Sequence, residues 1–221
     1  MRAPTREDLS APGAALLKDG GRNKADLLIV DVGEGRLIVK DFARRPWLYR
    51  QLGKLQIGRE CRAYRWLGPM QGLPRFAGRI DAYALAIEKI DGKQLGRAPE
   101  RLERGEQLYR ELGRLVERLH TRGLVHWDMR GKENVLLCAD GSLVILDLAS
   151  AGWLRPGGLA HRLFFSKMKS VDKSALLKWK RVLQAGPYTP EEQAAVDRHR
   201  RWRSLWPFNR KQVRRPTGPN E

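Results

Sequence analysis

The stretch Gly123–Ser150, GLVHWDMRGKENVLLCADGSLVILDLAS, decides how this chain is read. It opens on an apolar pair, passes through His126-Trp127-Asp128, and continues as two β-like runs, Asn134–Leu137 and Leu143–Leu146. Ala139-Asp140-Gly141-Ser142 between them is a hairpin turn. Asn134 stands six residues after Asp128, and Asp147 nineteen after it. A hairpin brings Asn134 and Asp147 to neighbouring ends, with Asp128 on the loop beside them. Two carboxylates and an amide oxygen then share one place. Hard oxygen ligands of this kind suit magnesium carrying the phosphates of a nucleotide.

Working outward, three short runs rich in Leu, Ile and Val predict strands at Ala15–Lys18, Asp26–Val32 and Arg36–Phe42. Gly20-Gly21-Arg22-Asn23-Lys24 and Gly33-Glu34-Gly35 separate them as turns. A helix is expected from Trp47 to Leu67, with Leu48, Leu52, Leu55 and Cys61 leaning to one side, and Gly68-Pro69 stops it. Arg79–Asp81 and Tyr83–Ile90 read as a further strand pair ending at the Asp91-Gly92 turn. From Arg104 to Arg122 the period turns helical, with a stripe of Leu108, Leu112, Leu115, Val116 and Leu119. Beyond Ser150 the chain reads as helix-rich and basic up to Pro216. Strands first and helices second predict an α+β fold of two lobes with a cleft between them, divided near Ile90–Gln94.

Composition narrows the classes further. Forty-three Lys and Arg against 25 Asp and Glu give a formal net charge of +18 over 221 residues. With 42% hydrophobic and 31% charged residues, the chain can build a core and is not a disordered polymer. Cys61 and Cys138 are too few for a disulfide framework, and no metal-type Cys/His spacing surrounds them. They are expected as thiols in a reducing compartment. The opening MRAPTREDLS lacks the apolar core of a secretory signal. The longest apolar runs, such as Leu27–Val30 and Val135–Cys138, are too short to span a bilayer. A soluble cytoplasmic protein is the expectation, and its positive excess points to an anionic partner: phosphate, nucleic acid or a lipid surface.

HxDxxxxxNVLL followed by VILDLAS resembles the catalytic loop and metal-binding aspartate of the protein-kinase-like superfamily. The resemblance covers about Ala15 to Leu183. It implies a two-lobed protein-kinase-like fold, with a small β-rich N-lobe over 1–90 and a helical C-lobe over 91–197, and composition marks off a basic tail over 198–221. Lys40 in RLIVKDF matches the lysine that contacts the α- and β-phosphates, and Glu60 the glutamate that pairs with it. AIEKIDG matches the hinge, where Glu88 and Ile90 would offer backbone groups to an adenine. Gly20 and Gly21 lie where the family covers the phosphates. The same resemblance gives Asp147 and Asn134 the magnesium, Asp128 the attacking hydroxyl, and Arg130 or Lys132 the charge on the γ-phosphoryl group. ATP and Mg2+ are the implied cofactors. His126 would bond backbone near Asp147.

Within the superfamily the chain is similar to the compact bacterial branch of RIO-like and lipopolysaccharide-core (Kdo/heptose) sugar kinases. The short N-lobe, the lack of a long segment after Asp147 and the stretch LLKWKRVLQAGPYTPEE carry this likeness. The sequence departs from the family in four places. The loop from Asp128 to Asn134 holds one extra residue, which puts Glu133 at the ordinary ligand spacing, although NVLL keeps Asn134 in phase with its strand. Trp127 replaces the common arginine, Leu148-Ala149 follow Asp147 in place of Phe-Gly, and there is no GxGxxG. A glycolipid-core sugar is the favoured hydroxyl acceptor, with a protein serine or threonine as the alternative. A pseudokinase acting as an interaction module is the competitor of another class, and the retention of Lys40, Glu60, Asp128 and Asp147 weighs against it. Between Arg198 and Arg215 stand seven Arg and Lys211 with no acid, interleaved with Trp202, Trp206 and Phe208. That tail suits an anionic membrane surface, which would make the protein peripheral on the inner face. Nucleic acid and packing on the C-lobe are the other readings of the tail.

Overall fold

The computed structural model describes residues 3–33 and 35–204, with only the helical backbone described from 199 onward. The described residues fall into two compact units, divided between Gly186 and Pro187. The first opens with β1 (Ala14–Lys18), β2 (Asp26–Asp31) and β3 (Arg36–Asp41), followed by α1 (Trp47–Leu67), β4 (Phe76–Arg79) and β5 (Ala84–Glu88). The five strands form an antiparallel sheet in the order β1-β2-β3-β5-β4. Period-2 alternation sorts the two faces of β3. Leu37 and Val39 pack with Val30, Ala84 and Ala86 in a small core of their own. Ile38 lies on the opposite face with Leu85 and Ile87, in the core that includes Ile57, Cys61 and Tyr64 of α1. Lys40 alternates onto that same face, towards the helix.

Two expectations about this region need correction. The paired strands lie at Phe76–Arg79 and Ala84–Glu88 rather than at 79–81 and 83–90. Asp81 is in the turn: its Oδ1 accepts the N–H groups of Tyr83 at 2.7 Å and Ala84 at 3.0 Å, closing the connection. The leucines of α1 also face the other way. Leu48, Leu52 and Leu55 are exposed, and the buried face is Gly53, Ile57, Glu60, Cys61, Ala63, Tyr64 and Leu67. Glu60 shares its face with Ile57 and Tyr64, so bringing the carboxylate in to Lys40 turns the leucine side to solvent.

The chain continues through β6 (Gly92–Gln94), α2 (Glu100–Glu103), α3 (Gly105–Thr121), β7 (Leu124–Val125), β8 (Val135–Cys138), β9 (Leu143–Ile145), β10 (Gly152–Trp153) and α4 (Leu159–Val182). The expected hairpin is β8–β9, and β6, too short and polar to announce itself, adds to its edge in the order β6-β8-β9. β7 and β10 pair as a two-stranded ribbon. The α3 stripe Leu108, Leu112, Leu115, Val116 and Leu119 is wholly buried, in one core with Met129, Val135, Ile145, Leu148 and Trp179. Gly105 opens α3 where only glycine fits, since a Cβ there would stand 1.9 Å from the carbonyl oxygen of Leu183. The second unit contributes α5 (Pro190–Ser204), started by Thr189, whose N–H donates to Glu192 Oε2 at 2.9 Å. Trp206, Phe208 and the rest of the chain from 205 onward lie outside the described residues, as does the side chain of Trp202.

Among the described residues no helix is long and apolar enough to cross a membrane.

Candidate active site

The sheet and the β8–β9 hairpin meet at one ion triad. Lys40 Nζ lies 2.7 Å and 3.0 Å from the two oxygens of Glu60 and 3.1 Å from Asp147 Oδ1. One ammonium thus serves two carboxylates from elements far apart in sequence. Burial by itself would lower the Lys40 pKa, and the attraction of Glu60 and Asp147 more than reverses it, so the lysine titrates above its ordinary value. Burial raises the Glu60 carboxyl, and the like charge of Asp147 adds to this. Asp147 goes the other way: burial would raise it, but Lys40 and the N–H of Ala149 hold it below the usual carboxylate range. Asp147 also has φ 67°, in the left-handed region that aspartate tolerates better than most residues. Its side chain is 42% exposed, open to a ligand.

The loop before the hairpin is fixed from below. His126 is buried, accepts the N–H of Asp128 on Nδ1 at 3.2 Å and donates from Nε2 to the carbonyl of Leu146 at 3.0 Å. This is the neutral Nε2–H tautomer, and burial keeps the imidazole pKa low. The histidine so ties the Asp128 loop to the residue preceding Asp147, in the structural role expected of it. Trp127 has φ 64°, costly for a bulky residue. Its N–H donates to Asp172 Oδ1 at 2.9 Å and its indole N–H to the carbonyl of Met168 at 3.3 Å. Asp172 Oδ2 accepts the N–H of His126 at 2.8 Å and His120 Nε2 at 3.0 Å.

Asp128 itself is exposed, and Asn134 Nδ2 donates to its carbonyl at 2.8 Å and to its Oδ2 at 3.2 Å. Residues Lys132–Asn134 form a single 3-10 turn that takes up the extra loop residue. Glu133 is left exposed while Asn134 is buried, and the Asn134 carbonyl accepts the N–H of Leu146 at 2.9 Å, next to Asp147. With its Nδ2 spent on Asp128, the Asn134 side chain has its oxygen left for a ligand.

Other expected residues are not gathered here. The Gly20 N–H donates to Asp26 Oδ1 at 3.0 Å and that of Gly21 to Asp19 Oδ1 at 2.7 Å. Arg45 staples the same turn through Asp26 and the Gly21 carbonyl. The two amides are therefore committed to carboxylates and not presented to phosphate. The polar turn favoured by Asp19 and Asp26 outcompetes a cradle that two glycines alone cannot preform. Arg130 turns to α4, donating to the carbonyl and hydroxyl of Ser174 at 3.3 Å. Lys132 is exposed, its stem against Gly96. Glu88 gives its N–H to Arg75 at 2.8 Å and its carboxylate to the same residue, which leaves only its carbonyl and the backbone of Ile90 for a purine.

Two further residues belong to the site. Asp172 stands out in the sequence as the lone acid among the cations of residues 161–181, which is the signal that could have found it. Arg59 donates to the carbonyl of Ala151 at 2.9 Å and of Ser150 at 3.4 Å, clamping the segment after Asp147 to α1. No local pattern announces it.

Among the described residues no three His, Cys, Asp or Glu side chains are arranged to hold a metal alone. An accessible carboxylate at Asp147 and an amide oxygen at Asn134 fit an ion that takes most of its remaining oxygens from phosphates and water, as magnesium does. A separate hollow lined by Gln71, Arg75, Arg104 and Arg114 shares no residue with this group.

No protein-family model matches the chain. It is similar to a "Probable bifunctional tRNA threonylcarbamoyladenosine biosynthesis protein" of Methanoculleus marisnigri, 27% identical over 165 residues. The match takes in 71% of this chain and 29% of that protein's length, so the chain answers to less than a third of its relative.

Proposed function

We propose that the protein is an ATP- and magnesium-dependent phosphotransferase with a two-lobed, protein-kinase-like architecture, transferring a phosphoryl group to a hydroxyl. The observation that carries this reading is the seating of Lys40 between Glu60 and Asp147. A buried pair alone is a structural device. Here the third member is an accessible, ionised carboxylate beside an exposed aspartate loop, and that combination suits phosphate chemistry.

In this reading Lys40, oriented by Glu60, holds the α- and β-phosphates. Asp147 and the Asn134 oxygen would hold magnesium, which when bound neutralises phosphate charge. Asp128, oriented by Asn134 and by His126 through its own N–H, accepts a hydrogen bond from the acceptor hydroxyl. It takes the proton as the new O–P bond forms and ADP leaves. Arg130 would have to leave Ser174 to reach the transferred group, and Lys132 is the other cation for that role. Positioning and electrostatics then supply most of the rate.

A lipopolysaccharide-core sugar is the favoured acceptor, supported by the sequence likeness to compact bacterial sugar kinases and by the basic surface. A protein serine or threonine is the alternative. Because the Methanoculleus protein is named for tRNA modification, tRNA belongs among the acceptors and partners tried. Cys61 and Cys138 are free thiols, which suits a cytoplasmic location.

The test is phosphoryl transfer from radiolabelled ATP over these acceptors, with Asp128→Asn in parallel. The variant should bind nucleotide as the parent does and transfer roughly 10²–10⁴-fold more slowly. A protein that neither transfers phosphate nor gains thermal stability from ATP with magnesium is instead an interaction module.

A further inference from the structure

Helix α4 has two unlike sides. Phe165, Asp172, Ala175 and Trp179 lie buried along one of them. Opposite, in its N-terminal half, Leu159 is 73% and Leu163 58% exposed, while Phe164, 55% exposed, lies about a quarter turn round from Leu163. Leu159 and Leu163 are one turn apart and therefore share a face. Arg162, Lys167 and Lys173 are exposed around them. From Arg155 to Lys173 the chain carries one acid, Asp172, which is buried and occupied by His120 and by the amides of the Asp128 loop. The outward surface of this helix is therefore apolar at its centre and cationic at its edges, without an acid of its own to balance the charge.

We infer that this face of α4 docks on an anionic lipid membrane, lying in the interface with Leu159 and Leu163 inserted. Charge complementarity selects this occupant. A two-fold contact with a second copy would set the same cations against one another. Nucleic acid would answer the cations, but aliphatic leucines neither stack on bases nor bond to their edges. Lipid answers both: headgroup phosphates take Arg162, Lys167 and Lys173, and the acyl boundary takes the two leucines. The geometry has a consequence for the loop above it. Trp127 is bonded to Met168 of the same helix, so docking would hold the Asp128 loop close to the membrane surface. The inference does not depend on phosphotransfer, because it is tested without nucleotide.

The experiment is sedimentation of the full chain with vesicles of equal parts phosphatidylglycerol and phosphatidylcholine, and with phosphatidylcholine alone. Binding is expected to the first and not to the second, and to weaken with added salt. The double substitution Leu159→Asp, Leu163→Asp should reduce it by about tenfold or more. Reversing Arg162 and Lys167 to glutamate should remove most of the salt-sensitive part, each cation being worth roughly fivefold. Both variants alter exposed positions, and an unchanged melting temperature and circular dichroism spectrum must accompany the loss. Should either variant unfold, Leu163→Ser and Arg162→Gln provide milder replacements with the same expected direction. The inference fails if the intact protein ignores anionic vesicles, or if both variants bind as it does, which would move the contact to another surface such as the basic residues 198–215. It also fails if the apolar substitutions abolish self-association, or the charge reversals abolish RNA binding, in a protein that shows no affinity for lipid.

Discussion

Asp172 accepts the backbone N–H of Trp127 at 2.9 Å across 45 residues of chain, and through that bond a buried carboxylate holds a bulky residue at φ 64°. The carboxylate is 0% exposed and takes two backbone donors and one imidazole. Replacing it with alanine strands buried N–H groups, each worth about 1–3 kcal/mol, and releases the loop from its strained conformation. Asp172→Ala is expected to lose about 3–5 kcal/mol in urea denaturation, and Asp172→Asn less, because one amide oxygen can still accept. A loss below about 1 kcal/mol for the alanine variant would show that the loop stands without this support.

The ion triad makes a prediction about nucleotide. ATP with magnesium should raise the melting temperature by mass action, and Asp147→Ala should lose the part of the shift that needs the metal. Lys40→Met should lose the shift with or without magnesium. Equal shifts in parent and Asp147→Ala would remove Asp147 from the metal site.

Asn134 and Glu133 can be separated by their magnesium requirement. Asn134→Ala should demand more magnesium for transfer, because it removes both the ligand oxygen and the bond that orients Asp128. Glu133→Gln, at an exposed position, should leave the requirement unchanged. A titration of activity against magnesium in both variants decides it, and the reverse ranking would return the ligand to Glu133.

His126 gives stability a pH dependence of known sign. Burial, the largest influence, depresses its pKa, and the carbonyl of Leu146 and the charge of Asp172 only partly compensate. The unfolded chain takes up a proton near pH 6.5 that the folded protein refuses. Stability is therefore full above about pH 6.5 and falls as pH drops towards the folded pKa, by at most about 1.4 kcal/mol per pH unit from this group. His126→Asn should be less stable at pH 8 yet flatter between about pH 6.5 and 5. Parallel slopes for the two proteins would assign the effect to other groups.

Gly105 tests the close approach at the start of α3. Ala at this position must push the Leu183 carbonyl aside. A cost of about 1–3 kcal/mol is expected from such overpacking, read as a lowered melting temperature. Ala at Gly113, where an added Cβ meets nothing within 4 Å, should instead hold or raise stability.

Much of this was legible in the chain because the decisive contacts are local in pattern. The β8–β9 hairpin announces itself by turn and apolar runs, and α3 by its stripe, so Asn134 and the segment leading to Asp147 could be found by reading alone. Lys40 and Glu60 needed the resemblance, since neither residue type nor spacing marks a strand lysine that will meet a helix glutamate 20 residues on. The apolar side of α1 misled because its three leucines outweigh Ile57 and Tyr64 in the sequence, and Cys61 reads as part of their side. Which side turns inward is set by the ion pair and by Gly53 against Phe42, and both are tertiary facts. The bonding of the glycine turn was hidden for a similar reason: Asp19 and Asp26 are ordinary turn residues until Arg45, far along the chain, locks them in place.

Arg59 clamps Ser150 and Ala151 to α1. In the proposed kinase-like reading Trp127 stands where the family has an arginine, and the segment after Asp147 is held to α1 by bonds to its own peptide carbonyls. Such a fastening is supplied by the genetic message and cannot be added or stripped by another enzyme. In the proposed phosphotransferase reading, a protein secured in this way would be competent as soon as it folds, its output set by how much protein is made and how much acceptor it meets.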